Sequence, residues 1–278
     1  MMRALGVACV LALGSASLAA QGVMVAPHAV FIDHRLRSGS VLLYNPGTEP
    51  VEVTISTLFG YPVTDSTGSI ALRTVDAPDS TLPSALAWIQ AFPRRLTVAP
   101  RERQTVRLLA RPPVGLADGE YWLRLVIAAQ AGHVPITGVG DTTAIRVGLT
   151  LEVRTIIGVN YRKGPVTTGL ALSHVRAQLS GDTLVTWGRL ERRGNAAFIG
   201  MIRETLVDST GAVRASYNSP IGVYFTMEPR LATVVAPPRL PRGRYWLRYE
   251  VVTEREDLDP AVVLKAPAVR DSVQLVVP

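Results

Sequence analysis

The sequence predicts an all-β fold built as two β-sandwich domains in tandem, after a cleaved signal peptide. Three observations predict it. Nearly every segment beyond the N-terminus reads as a short strand of alternating apolar and polar side chains closed by Gly, Pro, Asn or Asp. No stretch keeps a helical period. A run ending in Tyr-Trp-Leu-Arg occurs once in each half, at 121–124 and 245–248.

The chain opens with Met1, Met2 and the basic Arg3, followed by an apolar run over 4–13 and a small-residue stretch over 14–20. That order is the signature of a secretory signal peptide, and the run is too short to span a bilayer. Cys9 is the only cysteine of the 278 residues and lies inside this peptide, so a mature form without thiols is expected. A core, and not disulfides, then has to hold the exported product together. No later run is apolar over the roughly 18 residues that a membrane helix needs, so no transmembrane span is expected in the mature protein. The expected compartment is the periplasm.

The formal net charge is +7, and cleavage removes Arg3 to leave about +6. Lys163 and Lys265 are the only lysines; the arginines are scattered among strands, adjacent only at Arg94-Arg95 and Arg192-Arg193, without a basic block or interleaved aromatics. Nucleic acid is therefore not an expected partner. Encounter with acidic surfaces is the milder consequence of the charge.

Taken in order, the first mature strand signal is 40–44, stopped by Asn45-Pro46-Gly47. The alternation of Val51, Val53 and Ile55 with Glu52, Thr54 and Ser56 follows, and the pair is expected to form a hairpin. A second turn is signalled at Asp65-Ser66-Thr67-Gly68, and a polar loop over 74–83. Residues 85–92 suit a strand or a short helix around Trp88. Val106 and Leu108 alternate with Arg107, and 120–128 is the strongest aromatic strand of this half. A Gly-containing loop over 129–141 leads to 143–154, where Val147, Leu149, Leu151 and Val153 recur at spacing two. An extended chain puts those four on one face. That face either closes its own sandwich or is lent to another protein, and alternation alone leaves both open.

A polar segment with Gly164 and Pro165, around 161–169, is the expected hinge. Beyond it, strands are expected near 170–179, 183–190, 197–207, 212–217, 222–225, 232–235, 243–252 and 272–277, with turns at Asp182, Gly194-Asn195 and Asp208-Ser209-Thr210-Gly211. The repeat extends back to Pro112-Pro113 and Pro237-Pro238. Duplication and convergence on an immunoglobulin-like architecture explain it equally well.

Further short runs lie in the first half: Ala29-Val30-Phe31, Val41 to Asn45-Pro46, Ala87-Trp88-Ile89, Phe92-Pro93, Leu96-Thr97-Val98-Ala99-Pro100, Gln104-Thr105-Val106-Arg107, Gly119-Glu120-Tyr121-Trp122-Leu123, and the alternating strand followed by Tyr161-Arg162. In this order they resemble the periplasmic pilus-assembly chaperones of the chaperone–usher type, the PapD-like family. The resemblance covers about the first 160 residues, and the second half is similar only as a generic sandwich. It implies two immunoglobulin-like domains, here 21–161 and 162–278 behind a signal peptide over 1–20. It also implies a donor strand, with Val147, Leu149, Leu151 and Val153 offered to a subunit that lacks a strand of its own. The family anchors the subunit's terminal carboxylate with a charged Arg and Lys, and those places fall here on His28 and Gly158. His28, Arg154 and Arg162 are accordingly the candidate anchors, with Lys163 beside them. Arg107 and Glu120 match positions of an internal ion cluster.

Other chemistry finds little support. The two Asp-Ser-Thr-Gly runs invite comparison with aspartic-protease loops, but the extra residue before Gly breaks that pattern, and each suits a hairpin turn. His28, His34, His133 and His174 have no ligand spacing, so no metal site is expected. No nucleophile-elbow signature is present. Trp122 and Trp246 read as core anchors. The expected function is that of a non-enzymatic periplasmic chaperone without a cofactor. It would cap secreted pilus-like subunits of a surface appendage by donor-strand addition, with an outer-membrane usher as a further partner. The alternative is a structural or adhesive exported sandwich that carries no clients.

Overall fold

A computed structural model describes residues 22–131, 151–235 and 240–277. The first part of the chain supplies β1 (Met24–Ala26), β2 (Ala29–Asp33), β3 (Ser38–Tyr44), β4 (Val51–Leu58), β5 (Gly60–Thr64), β6 (Ile70–Thr74), β7 (Ile89–Phe92), β8 (Arg95–Val98), β9 (Arg103–Ala110), β10 (Gly119–Ala131) and β11 (Glu152–Lys163). The second part supplies β12 (Thr168–Ser180), β13 (Thr183–Gly194), β14 (Phe198–Asp208), β15 (Val213–Val223), β16 (Thr226–Met227), β17 (Arg230–Val234), β18 (Gly243–Val252) and β19 (Val269–Val277). Among the described residues there is no α-helix. The molecule is all-β.

Two sheets, β1-β3-β9-β7 and β2-β11-β10-β4-β8, face each other in the first sandwich. Strict alternation builds them: Val51, Val53 and Ile55 of β4 are buried while Glu52, Thr54 and Ser56 are exposed, and Val106, Leu108 and Ala110 of β9 do the same from the other side. The core between them gathers Val41, Leu43, Ile89, Leu125, Ile127, Val159 and their neighbours. The second sandwich sets β12-β13-β16, with β17 also on β13, against β15-β14-β18-β19, around Phe198, Ile202, Leu206, Leu247, Tyr249 and Val251. The β5–β6 hairpin stands apart as a two-stranded ribbon.

Three connections differ from expectation. The strands on either side of Asn45-Pro46-Gly47 are not a hairpin, because β3 pairs with β1 and β9 while β4 pairs with β10 and β8. The turn is a corner between sheets. Asn45, fully buried, holds it by donating Nδ2 to the carbonyls of Glu49 at 2.7 Å and Val98 at 3.0 Å, and by accepting from Gly47 N at 2.9 Å. The second difference is that 212–217 and 222–225 merge into one edge strand, β15, where Pro220 costs no ladder hydrogen bond on its open side. The third is that 85–88 form a tight turn, with Trp88 N and Ile89 N both donating to Ala85 O, before the chain extends into β7.

A third apolar cluster joins the two sandwiches. Phe59, Tyr61 and Trp122 from the first meet Ala197, Ile199, Tyr224, Leu258 and Val263 from the second. Trp122 is thus an anchor of the junction, outside the first core. Trp246, its counterpart in the repeat, is on the outer face of β18 and only partly covered, which corrects its reading as a core residue.

Candidate functional site

The strand that ends the first sandwich is paired unequally on its two sides. β11 bonds to β10 along its length, from Glu152 opposite Gln130 to Lys163 opposite Gly119. On its other side β2 runs parallel to it only from Gly158 to Arg162. Among the described residues, the 152–157 half of β11 therefore has an open edge. The cause lies in the N-terminal segment, which belongs to the opposite sheet as β1 and crosses over at Pro27 to become β2.

Side chains along this half are unusually apolar for an edge. Leu151, just before the strand, is 51% exposed, Val153 37% and Ile156 44%. Val153 shares a face with Ile157, Val159 and Tyr161, all buried in the first core, but is itself only partly covered, with Gly22 of the segment before β1 beside it. On the other face Ile156 is opposite Val126 of β10. Val147 and Leu149, the other two expected donor residues, lie outside the described residues.

Below the open half the two sandwiches meet around a buried polar cluster. Arg124 of β10, almost wholly buried, is opposite Gly158 of β11. A Cβ at Gly158 would come within 2.7 Å of its Nη1, so the missing side chain makes room for the guanidinium. Arg124 donates Nε to Gly60 O at 2.8 Å and Nη1 to the Tyr224 hydroxyl at 3.2 Å, with its guanidinium carbon 4.5 Å from the centre of the Tyr224 ring. Tyr224 in turn donates to Asn160 Oδ1 at 3.2 Å. Nη2 of Arg124 and Nδ2 of Asn160 are buried donors with no partner among the described residues. A guanidinium with one vacant N–H pair is suited to receive an anion.

Alongside it, the buried Glu120 carboxylate accepts three hydrogen bonds, from Trp122 Nε1 at 2.8 Å, from Ala197 N at 2.9 Å and from Arg162 Nε at 2.7 Å. Arg162 also donates to Val262 O at 2.5 Å and lies 4.3 Å above the Phe31 ring. Arg107, the partner expected for Glu120, is on β9 in the opposite sheet with its side chain in solvent; Arg162 takes that place from the strand next to Glu120. Burial pulls the Arg192 guanidinium below its usual range, and the nearby Glu120 opposes that shift.

The expected carboxylate anchors are already engaged. His28 meets Asp257 of the second sandwich at 3.2 Å, Arg154 bonds to Glu152 on its own strand, and Arg162 is held as described. Lys163 reaches Leu116 O and Asp118. The hydrogen bond from Arg255 holds the Asp257 carboxyl down to about 2, against partial burial and with further help from His28. Arg124, Asn160 and Tyr224 escaped sequence reasoning because a lone Arg after Tyr-Trp-Leu reads as the solvent side of a strand. Only the recurrence of the same four residues in the second half marked the position.

The two Asp-Ser-Thr-Gly runs close the β5–β6 and β14–β15 hairpins. In each, the Asp carboxylate accepts from the Thr backbone at 2.8 Å and its hydroxyl at 2.6 Å, and from a further amide at 3.0 Å. These bonds hold both carboxyls below the usual range, led in each case by the Thr hydroxyl. A proton-sharing pair needs the opposite shift on one member. Among the described residues, no group of three His, Cys, Asp or Glu side chains gathers as a metal ion requires, and no helix is long and apolar enough to cross a membrane.

No protein-family model matches the chain, and no curated protein matches it. Solved structures do resemble it. The YadV chaperone is 13% identical, with 92% of this chain and 100% of that chain covered at a TM-score of 0.46. The CupB2 chaperone of Pseudomonas aeruginosa is 13% identical, with 91% and 100% covered at a TM-score of 0.41. A chain from the complex of the Salmonella enterica SafA pilin with the SafB chaperone is 11% identical, with 91% and 97% covered at a TM-score of 0.45.

Proposed function

We propose that this protein is a non-enzymatic exported chaperone that captures strand-deficient secreted subunits by donor-strand addition along the open half of β11. The observation that carries the reading is the one-sided pairing of 152–157 among the described residues, with aliphatic side chains exposed beside it. A segment extended along that edge pairs its main chain with the free N–H and C=O groups and covers Leu151 and Val153. Val147 and Leu149 continue the same proposed row. Burying each such side chain contributes roughly 1.5 to 3 kcal/mol, enough in sum for a stable complex that a competing strand can displace.

The client's terminal carboxylate is proposed to meet Arg124, whose buried Nη2 has no partner among the described residues and would first have to be uncovered. His28, Arg154 and Arg162 would act around it only after releasing their present partners. The proposed compartment is the periplasm, and an outer-membrane usher is the proposed further partner; both rest on the resemblance of the first half.

The test is coexpression with the strand-deficient secreted subunits that the neighbouring genes are expected to encode. The wild type should copurify with one such subunit at equal stoichiometry, and Leu149→Asp with Leu151→Asp should abolish the complex while the free protein melts as before. A complex that survives the double substitution, or a variant that no longer folds, overturns donation from this strand. Arg124→Met should weaken capture of a subunit with a free C-terminal carboxylate at least tenfold, with no loss for a C-terminally amidated one.

A further inference from the structure

The Tyr-Trp-Leu-Arg run has opposite surroundings in its two copies. In the first, Trp122 and Arg124 are buried in the junction. In the second, Tyr245, Leu247, Tyr249 and Val251 of β18 face the core, so the alternate residues Trp246, Arg248 and Glu250 face out. Register extends this outer face across the sheet. Thr205 and Ser272 flank Arg248, with Ser216 beyond Thr205; Arg203 and Arg270 flank Glu250, with Asn218 beyond Arg203.

These rows line a concavity of about 900 Å³. A second one of about 230 Å³ shares Arg203 and Asn218 with it and is walled by the connection after β18, including Glu254 and Lys265. The two adjoin at Arg203 and Asn218. Their arginines are not equivalent. Arg203 is bonded to Glu254 at 2.5 Å, and Arg270 grips Glu250 through Nε at 2.6 Å and Nη2 at 2.5 Å. Arg248, exposed at the centre, makes none of the ion pairs found among the described residues.

We infer that this groove binds a short acidic oligosaccharide, with the Arg248 guanidinium on a uronate carboxylate. A free planar fork pairs with a carboxylate through two parallel hydrogen bonds. The hydroxyls of Thr205, Ser216 and Ser272 and the Asn218 amide, in rows on both sides, match the donors and acceptors of a polyhydroxylated chain. A protein partner would instead require buried aliphatic or aromatic anchors, and the larger concavity is lined mainly by hydroxyl, amide and charged groups, Asp271 among them. The volume of the larger concavity, about 900 Å³, exceeds what one small anion fills. The face belongs to the second sandwich and does not depend on the open edge of β11.

The experiment is titration calorimetry of the full-length mature protein with tetragalacturonate, cellotetraose and sodium sulfate. Saturable binding of tetragalacturonate alone is expected, weakened at least tenfold by Arg248→Ala and unchanged by Arg73→Ala, which removes an exposed charge on the β5–β6 hairpin. Both variants should melt within a few degrees of the wild type. Absence of tetragalacturonate binding, equal binding of cellotetraose or sulfate, or equal losses in the two variants overturns the assignment.

Discussion

Glu204 shows what a single side chain does to the second core. It is buried opposite Tyr249, and it accepts a hydrogen bond from the Thr186 hydroxyl on one oxygen only; Oε2 and the Tyr249 hydroxyl have no partner. Burial raises the carboxyl above its usual range, and the Thr186 bond opposes this only in part. It also pushes the Tyr249 hydroxyl beyond the usual tyrosine range. The folded protein therefore keeps the Glu204 proton to higher pH than the unfolded chain, whose value is near 4.3. This group's contribution to stability is complete below that value and is lost as pH rises through the folded pKa. Glu204→Gln should accordingly be more stable than the wild type at pH 7.5, by about 1 kcal/mol or more. The gap should close towards pH 5, as read from urea midpoints at the two values. Asp257 acts with the opposite sign, because its depressed carboxyl favours the fold above about pH 4 and the benefit is lost as pH falls towards 2.

At the scale of the element, β11 is two strands in one. Amides over 158–162 are covered on both sides, whereas over 152–157 those pointing away from β10 have no strand partner among the described residues. Native-state hydrogen exchange should split the strand at Gly158, with outward amides below that point exchanging at least a hundredfold faster than those above it. Uniform protection would mean that the edge is closed. Alternation made most of these strands legible from sequence, because apolar side chains at spacing two have one way to reach a core, as β4 and β9 illustrate. Partnership was less legible. Asn45-Pro46-Gly47 carries every mark of a hairpin turn, yet the buried Asn45 amide spends its donors on Glu49 and Val98 and sends the chain to the other sheet. Residue pattern fixes which face is oily; it does not say what covers that face, and so Trp122 and Trp246 looked alike.

For the whole molecule, the junction matters as much as either core. Glu120 ties together strands from both sandwiches through Trp122, Arg162 and the Ala197 amide, and Arg124 does so through Tyr224. Removing one partner from a buried charge leaves the other without compensation, so Glu120→Ala should cost about 3 to 5 kcal/mol in global unfolding. It should also raise the radius of gyration in small-angle scattering as the sandwiches separate. A loss below 1 kcal/mol with unchanged scattering would show that the apolar cluster around Phe59 and Ile199 holds the pair alone. The buried Arg124 was not legible in the sequence because its neighbours come from 64 positions earlier and 100 positions later.

The crossover at Pro27 has a geometric consequence. Because Ala29 occupies the place beside Gly158, any chain that zips onto β11 from its free end must halt there, after about six residues or roughly 20 Å of extended backbone. On the proposed function, the N-terminal segment would act as a doorstop, fixing how far a guest slides and which of its side chains face inward when it comes to rest.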